Sequence, residues 1–458
     1  MNGNEKKQLN IVIIGAGAAG LMAAGAAVQQ GHRVTVLEHT EQPGQKLLIT
    51  GKGRCNVTNA CGEEEFLRHI RKNSRFLYSS LNAFPPAKTM ELFEQLGVPL
   101  KTERGRRVFP VSDRAEDIRQ ALLRYCDGAR ILHEEAARLV LEPAAPPEPT
   151  GPAAGCAAQA DEALPARREK HAPRAKKQKG PRWICRGVQT ASGKTLAADA
   201  VLVATGGVSY PTTGSTGDGY RLAQQAGHSI EPPVPSLVSL VSPDADCKKM
   251  MGLALKNVAL TLLEDGRPVF CEQGEMLFTH FGISGPLTLS ASAHLGDLKQ
   301  HRYVAEIDLK PALDDQQLYD RVTRDFALLA NHAAQGALAK LLPASMQPVA
   351  VARWGVEPAT KANQITREQK QQLVRLLKHW QVPIGARGDL AHAVITSGGV
   401  SVREVDPKTM QSKLAAGLYF AGEVLDVDGY TGGYNLQVAW CTAQAFAAHL
   451  PAPGGPAA

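Results

Sequence analysis

The pattern of apolar and polar positions opens with two buried-type strands on either side of a helix of small residues. The run Asn10–Ile14 is apolar throughout its interior, as in a strand covered on both faces, and Arg33–Glu38 repeats this pattern. Between them, a glycine-rich turn leads into an alanine-rich helical segment that ends near Gln30. This order predicts a βαβ unit.

The next part of the chain mixes helical segments with loops and short strands. Pro43–Asn59 has little periodicity and predicts a loop, whereas Val108–Val111 is short and extended and Ala200–Ala204 is another buried-type strand. The segments with helical periodicity are Glu63–Phe84, Ala87–Leu96, Ala115–Cys126 and Tyr220–Ala226.

The second half of the chain changes pattern twice before strands and a helix return. Short strands and turns fill 237–307, and helical periodicity fills 313–380. Gly417–Phe420 then leads through a glycine-rich turn into a final helix, Leu436–Ala448. We therefore predict an α/β fold whose first domain is in two parts, 8–208 and 387–450, interrupted by a β-rich domain, 209–310, and a helical domain, 311–386.

Composition and cysteine usage are those of an ordinary globular protein. Apolar residues make up 44% of the 458 residues and charged residues 21%. The eight cysteines form no CxxC pair and have no zinc-ligand spacing to histidine, so we expect reduced thiols and no metal site. Because no signal-peptide cleavage site and no run of about 18 apolar residues is present, we expect a cytoplasmic protein without a membrane span.

The net charge of +7 is concentrated in one segment. Residues 142–182 are rich in proline and alanine and predict a disordered insertion without a folded core. Within it, Arg167–Arg182 contains eight lysines and arginines and one acid, Glu169, so it accounts for the whole excess. Such a segment is either a solvated charge run or a flexible arm that binds phosphate.

The turn after the first strand has the spacing of a dinucleotide-binding motif. Gly15, Gly17 and Gly20 form GxGxxG between a strand and a helix, and Glu38 ends the second strand. In this arrangement the glycines allow the tight turn, the approach of a pyrophosphate and close helix packing, while the helix amino terminus attracts the phosphates. A carboxylate at Glu38 accepts hydrogen bonds from ribose hydroxyls and disfavours NADP.

The motif alone does not distinguish FAD from NAD, but a later segment does. The strand that ends in Ala421-Gly422-Glu423 resembles the closing segment of two-part FAD domains. Gly432-Gly433-Tyr434-Asn435 then opens the last helix, whose amino terminus would stabilise negative charge on a reduced flavin. No second GxGxxG motif follows a strand, so we expect NAD(P)H only as a transient electron donor.

Several longer motifs resemble those of the BaiN/RdsA (YhiN-type) FAD-dependent oxidoreductase family. They are Gly44–Asn59, Ala204–Gly219, Gly274–Pro286, Thr396–Val400 and Tyr419–Trp440. The resemblance implies a two-part FAD domain of the glutathione reductase and fumarate reductase type, with inserted β-barrel-like and helical domains. Two departures are Thr442-Ala443, where a pair with glycine is usual, and the long insertion at 142–182.

Together, the motifs and the resemblance predict the residues of the flavin site. The predicted FAD-binding residues are Gly15, Gly17, Ala18, Ala19, Gly20, Glu38, Lys46, Gly53, Arg54, Asn56, Thr205, Gly206, Gly207, Gly422, Glu423, Gly433, Asn435 and Leu436. Arg54 and Asn56 either contact FAD or orient their loop. Cys55 is the first candidate for a catalytic acid, with loop packing as its alternative, and His280 is the second, with a structural role as its alternative.

The family resemblance implies reduction of a conjugated C=C bond and leaves two substrate classes open. One is a uridine of 23S rRNA, reduced to dihydrouridine, with possible contacts from a basic loop at 101–107 and the basic segment 167–182. The other is a small enone such as a bile-acid or steroid intermediate. A third hypothesis is a flavin-containing RNA-binding factor without turnover. We favour the rRNA uridine.

Overall fold

A computed structural model describes residues 8–144 and 180–450. The strands are β1 Asn10–Ile14, β2 Arg33–Glu38, β3 Thr58–Asn59, β4 Ile70–Lys72, β5 Leu100–Glu103, β6 Arg107–Pro110, β7 Arg130–His133, β8 Ala136–Pro143, β9 Trp183–Thr190, β10 Thr195–Ala197, β11 Ala200–Val203, β12 Ile230–Ser236, β13 Leu240–Val241, β14 Ala254–Glu264, β15 Arg267–Thr279, β16 Gly282–Ser284, β17 Tyr303–Asp308, β18 Trp380–Ile384, β19 Ala386–Arg387, β20 Ile395–Val400, β21 Ala415–Ala416, β22 Leu418–Phe420 and β23 Asp428–Gly429.

The helices are α1 Ala18–Gln29, α2 Gln45–Ile49, α3 Glu63–Arg68, α4 Tyr78–Ala83, α5 Pro86–Gln95, α6 Ala115–Tyr125, α7 Asp218–Gln225, α8 Asp246–Lys249, α9 Pro286–Ser292, α10 Asp315–Leu328, α11 Ala334–Ala337, α12 Gln347–Trp354, α13 Arg367–Lys378 and α14 Tyr434–Ala448. Among the residues that the structure describes, no helix is long and apolar enough to cross a membrane.

A five-stranded parallel sheet organises the first body of the protein. Its order is β22, β11, β1, β2, β7, so the predicted βαβ unit lies at its centre and the α/β prediction is confirmed. Strand β1 buries four of its five residues, as expected for a parallel strand covered on both faces. Because β22 pairs with β11 and α14 packs against α1, residues from late in the chain complete a sheet begun by the first strand.

Two local predictions in the segment 43–84 are wrong. The predicted helix Glu63–Phe84 is broken by β4, because Ile70 is buried and the strand pairs with β23, a contact that local periodicity does not show. The predicted loop Pro43–Asn59 contains α2, which buries Leu47, and β3, which pairs with β6. The two strands result from pairing between distant segments, whereas α2 is a short local helix.

A second hydrophobic core spans residues 240–384. It is built on a seven-stranded antiparallel sheet in the order β18, β17, β14, β15, β16, β13, β19. Buried residues of α10, α12 and α13, such as Leu318, Val349 and Leu373, belong to the same core as the sheet. The predicted boundary between 310 and 311 therefore falls inside one packed unit, since β18 joins the sheet from within the predicted helical range and β19 joins it from the end of that range. The exact domain limits stay a prediction.

Most of the predicted insertion at 142–182 lies outside the described residues, but its two ends are close together. Strands β8 and β9 form an antiparallel hairpin in which Pro143 is opposite Trp183, and the Ala144 amide donates to the Arg182 carbonyl at 2.9 Å. The predicted insertion therefore begins two residues too early, since Glu142 and Pro143 extend β8.

We expect that replacing residues 145–181 with Asn-Gly, as a two-residue turn between Ala144 and Arg182, leaves the protein folded with an unchanged FAD content. The hairpin ends already have the spacing that a tight turn connects, so the replacement needs no rearrangement of β8 or β9. The melting temperature and the flavin-to-protein absorbance ratio are the measurements. A large drop in the melting temperature would show that the removed segment packs against the body.

Candidate functional site

The turn between β1 and α1 has the geometry of a diphosphate cradle. Gly15 has φ +98°, and a Cβ there would lie 2.7 Å from the carbonyl oxygen of Ala204. A Cβ on Gly20 would lie 1.9 Å from the carbonyl oxygen of Gly15, so this glycine permits the close packing of helix on turn. At Gly17, by contrast, a Cβ would meet nothing within 4 Å. The turn is therefore tightly packed at Gly15 and Gly20 and open at Gly17, where a phosphate would approach.

The first turn of α1 adds hydrogen-bond donors to this cradle. Gly17 is the N-cap, and its carbonyl accepts from the Leu21 amide, so the helical ladder leaves the earlier amides, including those of Ala18 and Ala19, without helical acceptors. Ala19 also contacts the second part of the site, since a Cβ on Gly422 would lie 2.9 Å from its methyl group. The two segments that the sequence predicts to share the cofactor are thus in contact.

Glu38 lies at the carboxyl end of β2, next to the cradle. One carboxylate oxygen accepts from the Ala16 amide at 2.7 Å, and the other accepts from the amide and hydroxyl of Thr40 at 2.8 Å. These bonds fix the side chain and leave lone pairs for ribose hydroxyls. A cavity of about 390 Å³ lined by His39, Thr40 and Gln45 adjoins this strand end and suits the adenosine half of a dinucleotide.

A hydrogen-bonded network joins the predicted residues Lys46 and Glu423, which are far apart in sequence. The Lys46 ammonium donates to Glu423 at 2.8 Å and to the Ser209 hydroxyl at 2.7 Å. Glu423 also accepts from the Thr396 amide at 2.8 Å and from Ser209 at 3.1 Å. Both ionic side chains are about one-fifth exposed, so the network lines an accessible surface.

The segment after β11 brings Thr205, Gly206 and Gly207 to this network. Gly206 has φ +73°, and a Cβ on Gly207 would lie 2.4 Å from the Thr396 hydroxyl, so side chains are excluded here. The hydroxyl of Thr205 and the amide oxygen of Asn56 are buried and have no hydrogen-bond partner within the described part of the chain. Buried polar atoms of this kind require partners, which the polar groups of FAD can supply.

The turn before α14 completes the site from the late part of the chain. Gly433 is the N-cap with φ +97°, and a Cβ there would lie 2.4 Å from the Thr58 carbonyl oxygen. Asn435 uses its amide group on the backbone, accepting from the Gly429 amide and donating to the Gly429 carbonyl, both at 2.9 Å. Its side chain therefore positions the turn, while the backbone amides of Asn435 and Leu436 lie in the first turn of α14.

The loop around Cys55 is held by ionic and aromatic contacts. Arg54 pairs with Glu103 and Asp113 and lies over the ring of Phe109, with its guanidinium carbon 4.1 Å from the ring centroid. These contacts support the orienting role of Arg54, and its predicted contact with FAD stays a prediction. Gly53, next to it, has φ +84°.

Cys55 itself is fully buried and has a left-handed backbone, with φ +59°. Burial raises the pKa of its thiol to about 12, against a smaller opposing effect of the hydrogen bond with Thr50. The thiol therefore stays protonated at neutral pH, but it has no exposed surface. This environment is compatible with both predicted roles, acid and loop packing.

Within the described residues, the side chain of His280 makes no hydrogen bond or ion pair with the residues predicted to bind FAD. It is an exposed residue in the turn between β15 and β16, and its ring packs edge-on against the neighbouring Phe281 at 4.9 Å. No hydrogen bond or ion pair joins its side chain to another residue in 8–144 or 180–450. Its role as an acid stays a prediction without geometric support.

The structure brings together a second group of side chains that the sequence reasoning missed. At the junction of the two bodies, the Tyr430 hydroxyl and His294 Nε2 share a 2.6 Å hydrogen bond. Asp428 accepts from Ser397 at 2.9 Å, and Ser397 follows Thr396 of the Lys46–Glu423 network. The segments Thr396–Val400 and 428–430 are both visible in the sequence, but neither contains a local pattern that predicts their contact.

Burial determines the protonation of this junction. It lowers the pKa of His294 to about 4, with Arg71 adding to the effect, so the imidazole is neutral at pH 7. It also raises the pKa of Tyr430, which Glu272 and Asp428 reinforce and Arg71 opposes, so the phenol keeps its proton. The pair can therefore hold or donate a proton beside the α14 turn.

The described residues thus fit FAD in chemistry as well as in shape. The open cradle at Gly17, the ribose acceptor Glu38 and the unsatisfied oxygens of Asn56 and Thr205 correspond to the phosphate, sugar and polar groups of a flavin dinucleotide. In the ranges 8–144 and 180–450, no group of three or more histidine, cysteine, aspartate or glutamate side chains is arranged to hold a metal ion.

Comparisons with known proteins agree with this site. Residues 9–140 and 169–449 match the family model described as the HI0933-like protein Rossmann domain, which leaves 141–168 unmatched. A 3-dehydro-bile acid delta(4,6)-reductase of Clostridium scindens is 30% identical, with 94% of this chain and 96% of the relative covered. Ribosomal RNA dihydrouridine synthases of Escherichia coli (28%; 97% and 98% covered) and Haemophilus influenzae (30%; 95% and 97%) are similar over the same extent. The chain therefore belongs to the HI0933-like family and is a FAD-dependent oxidoreductase.

Proposed function

We propose that this protein reduces an activated C=C bond, and that its substrate is a uridine of 23S rRNA, converted to dihydrouridine with NAD(P)H as the electron donor. The observation that carries the rRNA assignment is the similarity to two ribosomal RNA dihydrouridine synthases over at least 95% of this chain. The flavin site supports a flavin-dependent reduction, since early and late segments that the sequence predicts to bind FAD meet at the Lys46–Glu423 pair.

Reduction of the double bond requires a hydride donor for one carbon and a proton donor for the other. When bound, reduced FAD supplies a hydride to the β-carbon, which is C6 of uracil. A residue of this chain then protonates the α-carbon, C5, and the C4 carbonyl polarises the bond. We assign this proton to the Cys55 thiol, which stays protonated at neutral pH. The Tyr430 hydroxyl at the junction is the alternative donor, and it is more accessible than the thiol.

The basic loop at 101–107 supports RNA binding less than its sequence suggests. Lys101 pairs with Asp113, and Arg106 pairs with Glu65, so two of its four cations are already neutralised. Its position is nonetheless favourable, since Asn59 donates to the carbonyls of both Gly105 in the loop tip and Gly432 before α14. The 101–107 loop is thus adjacent to the turn before α14, which is part of the predicted flavin site. The other predicted RNA contact, 167–182, lies almost wholly outside the described residues.

A small enone is the second candidate substrate, favoured by the similarity to the Clostridium scindens bile-acid reductase. A small enone would need an apolar pocket near the flavin for its ring system, and RNA would not be required. The hypothesis of a flavin-containing RNA-binding factor without turnover has less support, because these relatives are named as enzymes.

Mapping dihydrouridine in 23S rRNA tests the proposal directly. A strain that lacks this gene should lose one dihydrouridine, and a plasmid-borne copy should restore it. The purified protein with NADH or NADPH should form the same modification on an unmodified 23S rRNA transcript. An unchanged map in the deletion strain, with NAD(P)H-dependent reduction of a steroid enone by the pure protein, would instead establish the second candidate.

A further inference from the structure

A groove on the first body contains basic side chains from two distant parts of the sequence. It has a volume of about 490 Å³ and lies between the segment 73–76 and the segment 402–413. Arg75, Arg403 and Lys413 supply its charge, Asn73 and Ser74 supply neutral polar groups, and apolar residues form part of the lining. The three basic side chains are all solvent-exposed.

The charge of this groove is not compensated by ion pairs. None of the three cations lies within 4.0 Å of a carboxylate oxygen in the described ranges. The Lys413 ammonium donates to the Arg403 carbonyl at 3.0 Å, which holds two of the cationic residues together. This differs from the 101–107 loop, in which Lys101 and Arg106 both have acidic partners.

The acidic residues nearest in sequence are occupied elsewhere. Glu404 accepts from the amide and hydroxyl of Ser229 at 2.8 and 2.9 Å, on the side of β12. Asp406 accepts from the amides of Lys408 and Thr409, both at 2.9 Å. Neither carboxylate lines the groove, and the charged residues of its lining are Arg75, Arg403 and Lys413, although the charge of Lys413 acts on Asp406 from beyond 4.0 Å.

One lining residue of the groove, Asn73, is hydrogen-bonded to the segment that follows Glu423. The Asn73 amide donates to the backbone carbonyl of Asp426 at 2.6 Å and to its carboxylate at 3.0 Å. The same carboxylate pairs with Lys72 at 2.7 Å. Asp426 lies in sequence between Glu423, which pairs with Lys46, and Asp428 of the junction, so a ligand in the groove would lie beside the segment that carries both.

From this arrangement we infer that the groove binds the phosphodiester backbone of the RNA substrate next to the reacting uridine. The inference rests on the proposed function, because it names the surface that holds that substrate. Guanidinium groups bind phosphate oxygens in a bidentate manner, and Asn73 and Ser74 add neutral hydrogen bonds. Contacts of this type hold a strand in place without reading its sequence, and the uridine can then turn out of its stack towards the flavin.

The test compares two triple charge reversals in the FAD-loaded, full-length protein. Arg75→Glu, Arg403→Glu and Lys413→Glu remove the groove charge, while Lys194→Glu, Lys256→Glu and Arg267→Glu change the net charge equally at exposed sites elsewhere. Binding of an unmodified 23S rRNA transcript is measured from low to high salt. We expect the groove variant to bind about tenfold more weakly or worse, with a salt slope smaller by about two, since each lost phosphate contact removes about 0.7–0.9 from the slope.

The FAD content and melting temperature show whether each variant is folded, and Arg75→Glu alone serves if the triple variant is unstable, because the Arg75 side chain makes no hydrogen bond among the described residues. Equal affinity and slope in the groove and control variants would overturn the inference while the rRNA function stands. If the wild-type protein neither binds nor modifies the transcript, the proposed function fails and the inference fails with it.

Discussion

Gly17→Leu is expected to give a folded protein that contains no FAD. The wild-type protein should contain one non-covalent FAD per chain, so its absorbance in the visible region is the reference. A leucine at this position points into the space that a pyrophosphate would occupy, because a Cβ on Gly17 meets no atom of the described residues within 4 Å. The backbone there has φ −80°, which any residue adopts, so folding should not suffer. The flavin-to-protein absorbance ratio and the melting temperature of the FAD-free proteins are the two measurements.

Gly62→Leu is the matched control for this experiment. Gly62 is also the N-cap of a helix, α3, has φ −72° and has open space around its Cβ position. It lies outside the predicted flavin motifs, so this variant should keep its FAD. Full occupancy in Gly17→Leu, or FMN in the wild-type protein, would contradict the FAD assignment at this turn.

Cys55→Ala is expected to separate the two halves of the catalytic cycle. Reduction of the bound cofactor by NAD(P)H needs no thiol, so the bleaching of flavin absorbance should keep its wild-type rate. Substrate reduction needs a proton at the α-carbon, and loss of a general acid slows such a step by about 10²–10⁴-fold. Stopped-flow measurement of the two half-reactions, with 23S rRNA transcript as the oxidant, gives both rates.

If Cys55→Ala reduces its substrate at the wild-type rate, the variants Tyr430→Phe and His280→Ala test the other two candidate proton donors. Tyr430→Phe removes the hydroxyl that bonds His294 and retains the ring. A wild-type rate of substrate reduction in Cys55→Ala, with a slow rate in Tyr430→Phe, would move the proton-donating role to the junction. His280→Ala should leave both half-reactions unchanged, because its exposed ring makes no contact with the flavin network.

The parts of the fold that local pattern determines were predictable from the sequence. The β1–α1–β2 unit is encoded by contiguous apolar runs and by Gly15 and Gly20, where a side chain would clash with the backbone. By contrast, β4 is a three-residue strand whose only cause is its pairing with β23, more than 300 residues later in the chain. Periodicity within a short window cannot show such a pairing, so the helix predicted there was wrong.

The same distinction applies to the site. Lys46 and Glu423 were predicted from their motifs, and the structure shows them joined at 2.8 Å. The sequence could not show that Asn435 uses its side chain on Gly429 or that Arg54 pairs with two acids, because both depend on where the backbone returns. The position of uncompensated positive charge was the least predictable feature. The cations of the 101–107 loop cluster in sequence but are partly paired with acids, whereas those of the groove come from separate segments.

The division of the parallel sheet between early and late residues has a consequence for protein synthesis. Strand β22 and helix α14 leave the ribosome long after β1 and β11, yet they complete the sheet and the flavin turn. The unit at 240–384 has its own core, so it can fold while the first body still lacks one edge strand and the α1–α14 contact. Nascent chains halted before residue 418 should therefore contain a folded inserted unit but no bound flavin, which makes cofactor capture a late event in biogenesis.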